Sequence, residues 1–236
     1  VPAGDGELTG TELMDIRAEL GMPRLTFIDL FAGAGGLSLG LEHAGFECVG
    51  AVEQNDQAAE TYLINLGSSI PGELLALGSA NGDIRKVNFE QWSKRLRELC
   101  VAEVDLIAGG PPCQAFSRVG RGKLNDLDER GFVNDRRNLL WKHFLRAVSA
   151  LSPKAFLIEN VPGMLRHAGH NVAEDICVAA EKIGYVVKCA VLNAAAFGVP
   201  QTRERLFILG LRKNLGVQPT LPMGKCELDL SPGYMG

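Results

Sequence analysis

Three stretches of this chain hold side chains suited to chemistry on a polarised ring or carbonyl. Ala108-Gly-Gly-Pro-Pro-Cys-Gln-Ala-Phe-Ser117 sets Cys113 just past an apolar run, with two prolines before it and a candidate helical turn after it. Backbone N–H groups at a helix start stabilise an anion, so a thiolate forms there more readily than at an average cysteine. A buried, inert thiol is the ordinary role of cysteine, and the prolines and the strand end argue against it here. Ile158-Glu-Asn-Val-Pro-Gly163 repeats the design. Glu159, a carboxyl group with an apolar run behind it, is a candidate for a raised pKa and general-acid work. Gln201-Thr-Arg-Glu-Arg205 precedes another apolar run, and Arg203 and Arg205 could orient that acid or hold a substrate oxygen. An isolated pair of this kind is more often surface charge.

A fourth stretch points to a cofactor. Phe27-Ile-Asp-Leu-Phe-Ala-Gly-Ala-Gly-Gly-Leu37 puts a glycine-rich turn between a strand and a helix, the place where ligands approach the backbone in open α/β sheets. A nicotinamide-type G-x-G-x-x-G starting at Gly33 would need glycine at position 38, where Ser38 stands. Glu53 closes the next strand and can accept from both hydroxyls of a ribose, while Asp83, placed where a third strand would open, can address an adenine amino group. Each acid alone is more often a cap or a solvated charge. With the glycine turn they favour an adenosine-containing cofactor.

The elements that must position these groups alternate. Leu25–Phe31, Glu47–Val52, Val104–Ala108, Lys154–Ile158 and Tyr185–Leu192 read as strands, and stretches near 57–66, 89–100, 137–150 and 172–183 as helices. The runs Val-Asp-Leu-Ile-Ala and Ala-Phe-Leu-Ile suggest strands buried on both faces. The fold class expected is α/β, a doubly wound and mostly parallel sheet, with Arg205–Leu211 returning as an antiparallel last strand because it follows its predecessor too closely for a helical crossover. Residues 67–82 and 114–134 show no periodicity and read as long loops. Before the sheet, Thr9 and Glu12 at capping-box spacing, with Leu13, Ile16 and Leu20 on one face, predict a short helix.

With 236 residues, 46% of them apolar and 22% charged, the chain can hold one sizeable core and does not have a disordered composition. It lacks an apolar run of the roughly 20 residues a spanning helix needs, so a soluble cytoplasmic protein is expected. Six cysteines without C-x-x-C spacing predict no metal site and no disulfide framework, with most thiols reduced core residues. The net charge of −4 argues against a general polyanion binder, yet seven basic residues against four acidic ones lie between Arg118 and Lys142, a pattern that fits a local phosphate-binding face and a solvated charged face equally well.

Taken in order, these motifs resemble those of the DNA (cytosine-5) methyltransferase family from about Leu25 to Leu211, and Asp135-Arg-Arg-Asn-Leu-Leu140 and Leu192-Asn-Ala-Ala-Ala-Phe-Gly-Val-Pro200 resemble two further family motifs. The resemblance implies an S-adenosylmethionine pocket lined by Phe31, Gly33, Ala34, Gly35, Glu53, Gln54, Asp83, Ile84, Pro112 and Leu140, with Gln54 standing where relatives often carry an aromatic. It implies Cys113 as nucleophile, Glu159 as the acid at the cytosine ring, Arg203 and Arg205 beside it, and 115–134 as a loop closing over double-stranded DNA. By the same resemblance residues 1–24 are an N-terminal extension, 25–213 the catalytic domain, and 214–236 an exit toward a DNA-reading domain. That domain and the last family motifs are not recognisable, so a downstream segment or a second polypeptide is expected to supply them. A tRNA cytosine-5 methyltransferase shares these motifs and stays open at this stage. A silent scaffold is disfavoured by retention of Cys113 and Glu159.

Overall fold

A computed structural model of the chain describes residue 16 and residues 19–112, 139–165 and 171–224. The strands are β1 (Leu25–Leu30), β2 (Phe46–Glu53), β3 (Leu75–Leu77), β4 (Leu106–Gly109), β5 (Ala155–Asn160), β6 (Tyr185–Asn193) and β7 (Glu204–Arg212). They join one sheet in the order β3-β2-β1-β4-β5-β7-β6. β1 runs parallel to β2 and β4, and β2 parallel to β3. β6 and β7 pair antiparallel from Tyr185↔Arg212 to Asn193↔Glu204, as the short connection between them requires.

The chain divides into two compact units, residues 1–111 with 139–157, and residues 112–138 with 158–236. In the first, Phe27, Ile28, Leu30, Ala51, Ile107 and Ala108 are fully buried on β1, β2 and β4. The helices covering them are α1 (Gly36–His43), α2 (Asp56–Asn65), the short α3 (Gly78–Asn81), α4 (Phe89–Glu98) and α5 (Leu140–Leu151). They contribute Tyr62 from α2, Phe89, Trp92 and Leu96 from α4, and Phe144 and Val148 from α5. Each such side chain contributes roughly 1.5–3 kcal/mol by leaving water. Helix starts carry their own signals: the Asn55 side chain accepts from Ala58 N–H at 2.9 Å and that of Asn88 from Gln91 N–H at 3.0 Å, caps worth about 1 kcal/mol each. In the second unit α6 (Val172–Lys182), capped by Asn171, buries Ala173, Ile176 and Ala180, and β7 buries Leu206 and Ile208.

Two expectations are corrected. The third strand does not open at Asp83: it is β3, and residues 82–88 form a turn held by Lys86 N–H to Asp83 C=O at 2.8 Å. Three residues flanked by Gly72 and Gly78 are too few for an alternating pattern, so pairing with β2 decides their state and fills the supposed loop 67–82 with two 3-10 turns, β3 and α3. Second, β4 is buried along its whole length, whereas β5 alternates, with Leu157 and Glu159 partly exposed between buried Phe156, Ile158 and Asn160. Ile16 and Leu20, placed on one face by their spacing, are both exposed. The rest of the segment expected as an N-terminal helix, the expected loop 114–134 and the segment 226–236 lie outside the described residues.

Candidate active site

The glycine-rich turn leaves β1 through Phe31, which adopts the left-handed region at φ 62°, a conformation uncommon for so bulky a side chain and costing about 1–3 kcal/mol. Gly35 continues it at φ 97°, and a Cβ there would strike Leu66 and press on the Tyr62 ring. The turn is tied to the end of β2 twice: Ala32 N–H donates to Val52 C=O at 3.0 Å, and Gly33 N–H to Glu53 Oε2 at 2.8 Å. Asn55 N–H donates to Glu53 Oε1 at 2.7 Å. An ionised carboxylate offers about four acceptor positions. Each Glu53 oxygen therefore keeps one for a ligand hydroxyl.

Beside this carboxylate passes Gly82, so close that a Cβ would overlap the Glu53 carbonyl. Only glycine permits that approach, and it brings Asp83 to the same strand end. Asp83 is 4% exposed. Arg85 grips it with Nε on Oδ1 at 2.8 Å and Nη2 on Oδ2 at 2.8 Å, and Arg85 N–H also reaches Oδ1 at 3.1 Å. The guanidinium hydrogen bonds hold the Asp83 carboxyl below its ordinary range. One acceptor position on Oδ2 remains, which suits an amino group such as that of adenine. Ile84 is buried, Leu140 begins α5 half-buried, and Ala34 and Gln54 are exposed. These residues of the first unit fit an adenosine-bearing cofactor. Pro112 is partly exposed in the second unit.

In the second unit, Glu159 lies one residue from the end of β5 and Arg205 near the start of β7, and Arg205 Nε meets Glu159 Oε1 at 2.9 Å. The carboxylate is 31% exposed and faces a cation, a different environment from the apolar enclosure suggested by the run behind it. A second guanidinium hydrogen bond, Nη1 to Glu204 C=O at 2.7 Å, orients Arg205. Arg203 is exposed, and its backbone N–H donates to Asn193 Oδ1 at 3.2 Å. The structure thus brings Glu159 and Arg205 into direct contact and places Arg203 at the turn before them. Cys113 and the basic residues between 118 and 137 lie outside the described residues. Lys142, the last of that series, is exposed and stands 5.6 Å from the Trp141 ring centroid.

Several contributors escaped sequence reasoning. Gly82 was legible only as a turn residue, since nothing local shows that it meets Glu53. Asn193 fastens the β6–β7 connection by accepting from both Ala195 and Arg203 N–H. Beneath the glycine turn, Ser38 donates to Asp29 Oδ2 at 2.6 Å and meets Tyr62 Oη at 2.9 Å, and Tyr62 Oη lies 3.3 Å from Cys48 Sγ. Ser38 spends its one proton on Asp29, so Tyr62 donates to Ser38. Burial pushes the Cys48 thiol up to about 12. Cys48 is thus a reduced core thiol as expected, Cys177 is partly buried, and Cys100 and Cys189 are exposed, contrary to the expectation of core cysteines.

The family model for C-5 cytosine-specific DNA methylases matches residues 25–229. Type II methyltransferase M1.HphI of Haemophilus parahaemolyticus is 40% identical over 194 residues, covering 81% of this chain and 47% of that protein. M.BsuFI of Bacillus subtilis is 37% identical, covering 82% and 41%. M.AquIA of Picosynechococcus sp. is also 37% identical, over 78% of this chain and 71% of its own length. Among solved structures, a prophage-encoded E. coli protein described as a DNA modification methyltransferase superposes with TM-score 0.65 at 33% identity, over 83% of this chain and 49% of the other. Spodoptera frugiperda DNMT2 superposes with TM-score 0.58 at 25% identity, over 81% and 51%. The chain spans less than half the length of the first two curated relatives. With the family model matching residues 25–229 and a relative 40% identical over 81% of this chain, the chain belongs to the C-5 cytosine-specific DNA methylase family.

Proposed function

We propose that this chain is the catalytic part of an enzyme that methylates carbon 5 of cytosine in duplex DNA, with S-adenosylmethionine as methyl donor. The observation that carries the proposal is the 2.9 Å pair between Glu159 and Arg205, because a carboxyl group held beside a guanidinium matches the polar edge of a cytosine ring. Carbon 5 of cytosine is a weak nucleophile. The Cys113 thiolate adds at carbon 6 and converts carbon 5 into an enamine carbon. Glu159 hydrogen-bonds or protonates ring nitrogen 3, and Arg205 binds the ring carbonyl, so charge built up during addition meets fixed donors. Arg203 assists from the preceding turn. Gly33, Gly35, Glu53, Asp83 and Ile84 would hold the cofactor, with Phe31, Ala34, Gln54 and Leu140 completing its surroundings. When bound, it supplies an electrophilic methyl group on a sulfonium. Once carbon 5 carries the methyl group, loss of its proton re-forms the ring double bond and expels the Cys113 thiolate from carbon 6. Reaching the ring from both sides requires the base to leave the helix stack, at a cost of a few kcal/mol.

The test is a trapping experiment. Duplex DNA carrying 5-fluorocytosine at the target, incubated with the protein and S-adenosylmethionine, yields a stable covalent adduct because fluorine cannot depart as a proton does. Peptide mapping is expected to place it on Cys113. An adduct on Cys100 or Cys189, or equal methylation of transfer RNA in competition, refutes the corresponding part of the proposal.

A further inference from the structure

We infer that Arg146 is a positioning residue for the cofactor's adenine, clamping the turn that carries Asp83 and Ile84 onto α5. The inference rests on the proposed cofactor reading. Arg146 lies on α5, the helix whose first residue is Leu140. Its Nη2 donates to Ile84 C=O at 2.6 Å and to Val87 C=O at 3.2 Å, and Nη1 reaches Arg85 C=O at 3.4 Å. The guanidinium also sits 5.4 Å from the Phe89 ring centroid, at the start of α4. Three carbonyls of one turn therefore converge on one planar cation.

That convergence has a physical reason. Residues 83–86 form a turn closed by Lys86 N–H on Asp83 C=O, so the carbonyls of Ile84, Arg85 and Val87 have no regular helix or ladder to enter. Unpaired carbonyls this close to a buried segment are costly, and a charged fork of donors satisfies several at once. The outcome is geometric. Asp83 and Ile84, 4% and 2% exposed, are held from one side by Gly82 against Glu53 and from the other by Arg146 on α5. Two cofactor-lining segments distant in sequence, 83–84 and 140, are thereby linked through one side chain. Arg85, which grips the Asp83 carboxylate, has its own backbone in the same clamp. A shift of the turn would move the acceptor meant for the adenine amino group.

The readout is base discrimination by the cofactor site. S-adenosylhomocysteine and its hypoxanthine analogue S-inosylhomocysteine differ at the 6-position, where Asp83 is aimed, and in the proton on the adjacent ring nitrogen 1, and calorimetry on the protein gives the ratio of their affinities. The wild type is expected to prefer adenine by about tenfold or more, the effect of one hydrogen bond to a charged group. Arg146→Met should reduce the ratio to about twofold. Arg146→Lys, which keeps the charge but not the fork, should fall between and answers the question if Arg146→Met does not fold. A variant that weakens both ligands equally while its ratio stays at the wild-type value would have only a structural defect, and that result overturns the inference. A wild-type ratio near one removes instead the reading of Asp83 as the adenine acceptor, and the inference with it.

Discussion

Replacing Asp29 by asparagine should make this protein more stable relative to the wild type as pH rises. Asp29 is 1% exposed on β1, accepts one hydrogen bond from Ser38, and has no partner for Oδ1 among the described residues. Burial is the largest influence on its carboxyl group. It raises the pKa from 3.8 to about 7, the nearby Glu53 charge adds to the rise, and the Ser38 hydrogen bond opposes it. Between those two values the folded protein holds a proton that the unfolded chain has released. The folded state then binds more protons, so stability falls as pH rises through the window and levels off above about pH 7. At about 1.4 kcal/mol per pH unit, the two units between pH 5 and pH 7 amount to roughly 3 kcal/mol. The substituted asparagine side chain would stay neutral throughout. Its amide still accepts from Ser38, and any cost of leaving its NH2 group unpaired is independent of pH and cancels when two pH values are compared. Urea unfolding of both proteins at pH 5 and pH 8 therefore isolates the carboxylate. The difference in stability should move by about 3 kcal/mol in favour of the asparagine protein. Cys48 and Tyr62, both pushed upward by burial, titrate above this range and leave the comparison clean. Parallel pH profiles, agreeing within about 0.5 kcal/mol, would refute the reasoning by showing that Asp29 takes up no proton on folding.

Other outcomes follow from the same geometry. Gly82→Ala forces a Cβ into the Glu53 carbonyl, so it should cost roughly 1–3 kcal/mol and weaken S-adenosylmethionine binding, read by urea denaturation and calorimetry. Arg205→Ala leaves Glu159 without its cation and should lower methyl transfer by about 10²–10³-fold, with Arg205→Lys intermediate, in a tritiated-methyl assay. If about three basic side chains from 118–142 engage phosphates, log affinity for duplex DNA should fall against log salt with a slope of roughly −2.7. Filter-binding titrations over a range of salt would measure it.

How much of the site could be read locally depended on how local its determinants are. Residue type and spacing along the chain identified the α/β alternation, the antiparallel last strand, the glycine turn after β1 and the acid that closes β2, because apolar periodicity and turn glycines act within a few residues. Tertiary structure decided what no window contains. β3 exists because Leu75–Leu77 finds β2 as a partner, not because three residues favour extension. Glu159 faces Arg205 because β5 and β7 bring together residues 46 positions apart, replacing the apolar enclosure that its neighbours suggested. Asp83 owes its place to Gly82 beneath Glu53 and to Arg146 above, contacts that close loops of tens of residues and leave no periodic trace. Sequence determined which groups the protein has for chemistry and on which kinds of element they ride. Their partners, and therefore their charge and orientation, were set by chain closure over distances that local propensity does not reach.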